Sequence, residues 1–290
     1  MHRFFFLLLL LNITWATNTN AQQTSFNSIE DALQQEYYDN VITLDLSNKN
    51  LDTIPKEILN FRNLQQLILT HNNLKELPVW MAKLQNIQSI DLAENSFCAL
   101  PPVLYKMRNL YQINITNNYI DTIYPGISAL SKLEIINFST FNFYTFPEEM
   151  TQLKNLRTID MSYGWLSDLP ENFGQLPVLR KIIFGRNHFT SIPETIFNLP
   201  NLDYLGLWGN QLTSVSTNIC KLEKLSYLAL MSNKLTKLPQ CIFKMPALKW
   251  LPCGDNKFTT TQINTYTGLA KQRKLDAYSF YKKDSYLVYY

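Results

Sequence analysis

The sequence predicts an α/β solenoid: similar coils stacked side by side, with a parallel β-sheet on the concave face and short helical or 3₁₀ segments on the convex face. Three observations predict it. Apolar residues recur every 23 residues through ten turns without an insertion or deletion. Each turn opens with a short run in which inward and outward residues alternate, the pattern of a strand. Most turns then carry an Asn and, six places later, a Pro, both of which end strands.

Taken in order, Met1 to Ala21 has His2 and Arg3 ahead of the apolar run Phe4 to Leu11 and ends Thr19-Asn20-Ala21. This is the layout of an export signal cleaved near Gln22, and eight apolar residues reach only about 12 Å as a helix, too short for a bilayer. Residues 22–40 form the expected N-terminal cap. Ser28-Ile29-Glu30-Asp31 has the form of a capping box opening a short helix through Leu33 and Tyr37, and Phe26, Ile29 and Leu33 would cover the end of the first coil.

The ten turns, residues 41–265, begin at Val41, Leu64, Ile87, Leu110, Leu133, Leu156, Leu179, Leu202, Leu225 and Leu248. With each of these as place one, places four and six are apolar throughout and point inward, while places three, five and seven point outward. Place nine is Asn72, Asn95, Asn118, Asn187, Asn210, Asn233 and Asn256. A side-chain amide there can satisfy backbone groups where the chain turns. Place fifteen is Pro55, Pro78, Pro101, Pro147, Pro170, Pro193 and Pro239, which favours the first turn of a helix or an extended segment.

These residues carry a resemblance. The pattern LxxLxLxxNxLxxLPxxIxxLxxL resembles the leucine-rich repeat in its uniform 23-residue form common in bacterial proteins, and SIEDAL followed by VITLDLS looks like the start of secreted bacterial members. The resemblance covers about Val41 to Thr265. It implies a horseshoe whose concave sheet recognises a partner.

Two turns depart. Place nine is Phe141 in turn five and Gly164 in turn six, Lys49 departs in turn one, and Phe138, Phe143 and Phe146 replace Leu around the break. Either larger side chains refill the core with Asn142 or water replacing the lost bonds, or the ladder is interrupted to permit a local bend or an exposed Phe141 on the rim. Past the repeats, Thr259 to Leu275 reads as a closing helix with Ile263, Leu269 and Ala270 inward, and Ala277 to Tyr290 as a strand or hairpin. Residues 266–290 are thus the C-terminal cap.

The net charge of +3, with no basic block longer than a pair, gives nucleic-acid binding little electrostatic support. The four cysteines have no metal spacing. Cys253 stands at a core position, while Cys220 and Cys241 fall on adjacent turns, where a disulfide or two free thiols are the alternatives. No metal or cofactor is expected. The chain reads as a non-enzyme: His71 and His188 lie roughly 24 Å apart, and Asp45 and Asp91, two strands and about 9.6 Å apart, are better explained as solvated strand carboxylates than as a glycosidase pair.

Recognition has more support. Place three runs Lys181, Tyr204, Tyr227, Trp250 on neighbouring strands; place seven adds Trp208 and Met231; and place five beneath is Gly206, Ala229 and Pro252. Large rings beside small residues predict a shallow groove, with Arg157, Arg180, Lys181 and Arg186 at one end. Ten strands about 4.8 Å apart, each showing five residues, give a face of about 700 Å², near the about 800 Å² per partner of a standard protein interface. The expected partner is a protein; a glycan stacking on Tyr204, Tyr227 and Trp250 and a purely structural envelope role are the alternatives. The expected location is secreted, periplasmic or cell surface.

Overall fold

The computed structural model describes residues 24–142 and 144–276. Residues 1–23, which include the expected export signal, Phe143 and the terminal Ala277 to Tyr290 lie outside the described residues. Ten strands form one open, fully parallel sheet in chain order, from β1 (Ser25–Phe26) and β2 (Thr43–Asp45) through β3 (Gln66–Ile68), β4 (Ser89–Asp91), β5 (Gln112–Asn114), β6 (Ile135–Asn137), β7 (Thr158–Asp160), β8 (Lys181–Ile183), β9 (Tyr204–Gly206) and β10 (Tyr227–Ala229). Neighbouring strands from β2 to β10 pair at an offset of one repeat, as in Leu44 with Leu67 and Leu205 with Leu228. The cap supplies β1, and the tenth turn adds only a bridge at Trp250, which pairs with Tyr227 on one side and Asp276 on the other.

The apolar places make one continuous core along the stack, because a single coil cannot cover its own inward side chains. Opposite the sheet, the back wall consists of 3₁₀ segments such as Lys56–Asn60 and Glu194–Asn198, each entered from an extended Pro. Where turn eight lacks that Pro, Ser216 takes its place and its hydroxyl accepts the Asn218 N–H. In turn ten the chain passes straight into α2 (Thr260–Arg273), which opens on a capping box of Thr259 and Gln262 and buries Tyr266 and Ala270. At the other end α1 (Ile29–Leu33) is shorter than the sequence suggests. Ser28 caps it, but the chain leaves the helix after Leu33 and makes a separate 3₁₀ turn over Tyr38–Asn40.

Place nine behaves as an internal bond ladder. Asn118 is buried; its amide donates to the carbonyls of Ile115 in its own turn and Leu92 in the turn before, each at 3.0 Å, while its Oδ1 accepts the Phe97 N–H at 3.0 Å. A second ladder runs along place twenty-three, at the entrance to the strands. Asn63 donates to the Asp39 carbonyl of the cap, and Asn86, Asn109, Asn155 and Asn201 each donate to a backbone carbonyl of the preceding turn.

The break in the first ladder is a matched exchange. Phe141 is 1% exposed, which rules out the rim position and fits the refilled core. Its ring lies over Gly164, where an added Cβ would stand 2.1 Å from the ring, so glycine at place nine of the next turn is what makes room. The Asn142 N–H donates to Ile120 O at 2.7 Å, keeping backbone pairing across the break.

Of the two alternatives left open for Cys220 and Cys241, the structure has the disulfide, bridging adjacent back-wall segments. Cys253 is fully buried, which pushes its thiol well above the ordinary value. Replacing both bridged cysteines by Ser is expected to lower stability by about 3 kcal/mol, since the bond closes a loop between residues 21 apart in the unfolded chain. Chemical denaturation of the two forms measures this.

Candidate functional site

Lys181, Tyr204, Tyr227 and Trp250 stand on neighbouring strands of the concave face, because place three faces out in every turn. The two tyrosine rings stack at 4.4 Å with 8° between their planes, and the Lys181 ammonium lies over the Tyr204 ring at 5.0 Å. The stack is therefore a wall whose faces cover one another and whose edges and hydroxyls meet solvent. Burial pushes the Tyr204 phenol above its ordinary value, reinforced by Tyr227, to which its hydroxyl bonds, and by Asp160. Tyr227 is raised by burial as well, and by Asp276, with the bond from Tyr204 acting the other way. Both stay uncharged at neutral pH and offer only neutral hydroxyls. Trp250, 47% exposed, ends the row.

The groove expected over the small place-five residues is partly filled. Trp208 lies flat on the sheet: an added Cβ would stand 2.2 Å from its indole at Gly185 and 2.5 Å at Gly206. Gly206 was expected to shape an open floor; with Gly185, it instead seats a half-buried ring beside the half-buried Met231. The cations all stand on turns six and seven but are spread across the face along the strand direction. Arg157 holds Glu134 at 2.9 Å and, like Arg180, precedes its strand, whereas Arg186 follows strand β8, about 20 Å further along the chain direction, with its guanidinium 5.5 Å above the Tyr163 ring.

A further surface, along the rim just after the strands, is not evident from periodicity. Place eight is left-handed in every turn: Asn48, His71, Glu94, Asn117, Thr140, Tyr163, Arg186, Gly209, Ser232 and Asp255 all have positive φ. The twist turns place nine inward while the place-eight N–H still reaches the next turn, as in Tyr163 N to Gly185 O at 2.9 Å. Side chains at this place pair across turns: His71 with Glu94 at 3.0 Å, Thr140 with Asn117 at 2.8 Å, Tyr163 with Arg186. A left-handed backbone costs an ordinary residue about 1 kcal/mol or more, and a bulky ring there is an outlier. Tyr163 nevertheless keeps its ring 50% exposed. Beside it on the same turns, Trp165 stacks on His188 at 4.9 Å and touches Tyr144 at 5.6 Å, with Trp165 45% and Tyr144 65% exposed.

Comparison with known proteins places this arrangement. A family model described as leucine rich repeat matches residues 39–97 and 200–258, at both ends of the sheet. The chain is a leucine-rich repeat protein. No curated protein sequence matches it at a significant level. Among solved structures, this leucine-rich repeat chain is similar to a leucine-rich repeat protein of Leptospira interrogans, with 30% identity, a TM-score of 0.65 and coverage of 76% of this chain and 62% of that one. It thus spans less than two thirds of that protein's length. It is also similar to the leucine-rich repeat ectodomain of the Arabidopsis thaliana membrane receptor kinase GASSHO1/SCHENGEN3, in complex with Casparian strip integrity factor 2 (25% identity, TM-score 0.60, 71% of this chain and 29% of that one). An internalin of Listeria monocytogenes shares the fold (16% identity, TM-score 0.66, 90% of this chain and 78% of that one).

In this leucine-rich repeat the concave carboxylates serve the backbone. Asp45 accepts the Ser47 N–H and Asp91 the Ala93 N–H, each at 2.9 Å, and Asp91 also accepts the Asn114 amide at 3.0 Å. Among the described residues, no helix is long and apolar enough to cross a membrane.

Proposed function

We propose that the protein is exported and binds a protein partner on its concave sheet, centred on Tyr204, Trp208, Tyr227, Met231 and Trp250, with Lys181, Arg180, Arg157 and Arg186 orienting the partner by charge. The observation that carries this reading is the unbroken row Lys181, Tyr204, Tyr227 and Trp250 on adjacent strands, next to Trp208 on its glycine seat. Exposed aromatic side chains with nearby cations are what the centres of protein interfaces are made of. The similarity to a receptor ectodomain whose structure holds a bound factor supports a polypeptide partner. Residues 1–21 act as the export signal, residues 22–40 and 266–290 close the ends of the repeats at 41–265, and the Cys220–Cys241 bond supports an oxidising compartment outside the cytoplasm or at the cell surface.

A glycan is disfavoured on this patch. Sugar rings stack on free aromatic faces, whereas Tyr204 is covered by Tyr227 on one side and approached by Lys181.

The test is capture from native extract by the mature chain, comparing wild type with Trp208→Ala/Trp250→Ala. Affinity for the captured protein is expected to fall at least tenfold, about 1.4 kcal/mol, in a variant whose melting curve shows it still folded at the binding temperature. Unchanged affinity refutes the assignment of the patch.

A further inference from the structure

Charge divides the outward face of the solenoid. At places two, three, five, seven and eight, turns one to five hold Asp45, Asp91, Glu94 and Glu134 and no Lys or Arg. Turns six and seven hold Arg157, Arg180, Lys181 and Arg186 against Asp160 alone. The basic band meets the rim at Arg186, and there the exposed rings also gather: Tyr163 under the guanidinium, Trp165 on His188, Tyr144 beside it. Four of the large apolar side chains that stand exposed in the described residues are Tyr119, Tyr144, Tyr163 and Trp165, at places eight to twelve of their coils.

Tyr163 is not there for the fold. Its backbone is left-handed, and turn eight shows that glycine fits the same place, at Gly209, without loss of the turn. Place eight is left-handed in all ten turns whatever residue fills it, so what sets Tyr163 apart is a large ring left half exposed at a place where glycine also serves.

We infer that the rim of turns five to seven, built from Tyr144, Tyr163, Trp165, Arg186 and His188, is a second binding surface, and that its occupant is a carboxylate-rich polypeptide segment. This goes beyond the concave site and does not depend on it. The rings supply an apolar anchor, since aromatic side chains with Arg are enriched at binding hot spots. The charges supply the register: Arg186 takes an acidic side chain at the rim, while Asp45, Asp91 and Glu94 of turns one to three repel the same segment from that end of the solenoid. Polypeptide rather than polysaccharide follows from the rings, because Trp165 has His188 stacked on one face and Tyr144 close by, leaving edges for side-chain packing instead of a free platform for a sugar.

The experiment selects binders from a random twelve-residue peptide library displayed on phage, using the mature chain. Enriched peptides are expected to carry an excess of Asp and Glu. Synthetic copies should lose at least tenfold in affinity on Tyr163→Gly/Trp165→Ala, lose as much on Arg186→Glu, and keep their affinity on Trp250→Ala, which lies on turn ten. Both rim variants are checked by melting temperature, and Arg186→Glu keeps the test open if the first is unfolded. Failure to enrich any peptide, enrichment of neutral or basic ones, or an equal loss on Trp250→Ala overturns the inference. So does displacement of the peptides by heparin together with tighter binding of heparin than of any peptide, which would make the surface an anion site for polysaccharide. The concave patch stands or falls on the Trp208→Ala/Trp250→Ala comparison with its captured protein, and the rim on Tyr163→Gly/Trp165→Ala, which touches no residue of the concave patch.

Discussion

Asn210→Ala is expected to destabilise the protein by about 3 kcal/mol, lowering the melting temperature by roughly 6–12 °C. The Asn210 amide donates to Phe184 O at 2.9 Å and Leu207 O at 3.0 Å, and its Oδ1 is the acceptor for the Phe189 N–H at 3.1 Å. All three groups are sealed from water, so alanine leaves a buried N–H with nothing to bond, which costs more than the net value of the bond. Asn86→Ala is the comparison. It removes one bond, to Arg62 O at 2.9 Å, from an exposed site where water takes over, and is expected to cost about 1 kcal/mol. Thermal and urea denaturation of both variants measure the difference. Equal losses would mean that the buried ladder is no more important than the exposed one.

Gly164→Asn is expected to cost about 3 kcal/mol, although Asn is the residue at this place in seven other turns. The backbone of Gly164 is not left-handed, so the obstacle is the Phe141 ring alone. Phe141→Asn by itself is expected to cost about 3 kcal/mol for the lost aromatic volume. The double variant restores Asn at both places, removes the clash and rebuilds the ladder, so its loss should fall short of the sum by about 2 kcal/mol. Losses that add to within about 0.5 kcal/mol would show that the two residues do not act as a pair.

How much of this was legible in the sequence differs from feature to feature, for physical reasons. The strands, the buried Asn ladder and the 3₁₀ back wall follow from residue types that a coil cannot do without: apolar at places four and six, an amide at nine, an extended Pro at fifteen. The left-handed place eight was invisible because its residues share no property; Asn, Glu, Thr, Tyr and Arg all adopt it, forced by the fixed residues on either side. Asn63, Asn86, Asn109 and their fellows were in plain view at place twenty-three, but an Asn in a loop reads as an ordinary turn residue until its partner in the preceding coil or cap is seen. Phe141 with Gly164, and Trp208 with Gly185, are each one event spread over two coils, so neither half signals the other. The outward direction of Tyr204, Tyr227 and Trp250 follows from the strand period. Their mutual stacking, the ring filling the groove and the separation of Arg180 from Arg186 do not, because the period fixes a side chain's face and not its rotamer. Tyr144, Tyr163 and Trp165 escaped notice because they fall at different places of their coils and meet only in three dimensions.

Hydroxyl-radical footprinting of the mature chain, alone and with the protein it captures, tests most directly whether the row of outward side chains grips a partner. Reduced oxidation is expected at Trp208, Tyr227, Met231 and Trp250, with the convex, exposed Tyr124 and Val79 unchanged. Protection confined to the convex residues, with the concave tryptophans oxidised as in the free chain, contradicts the account.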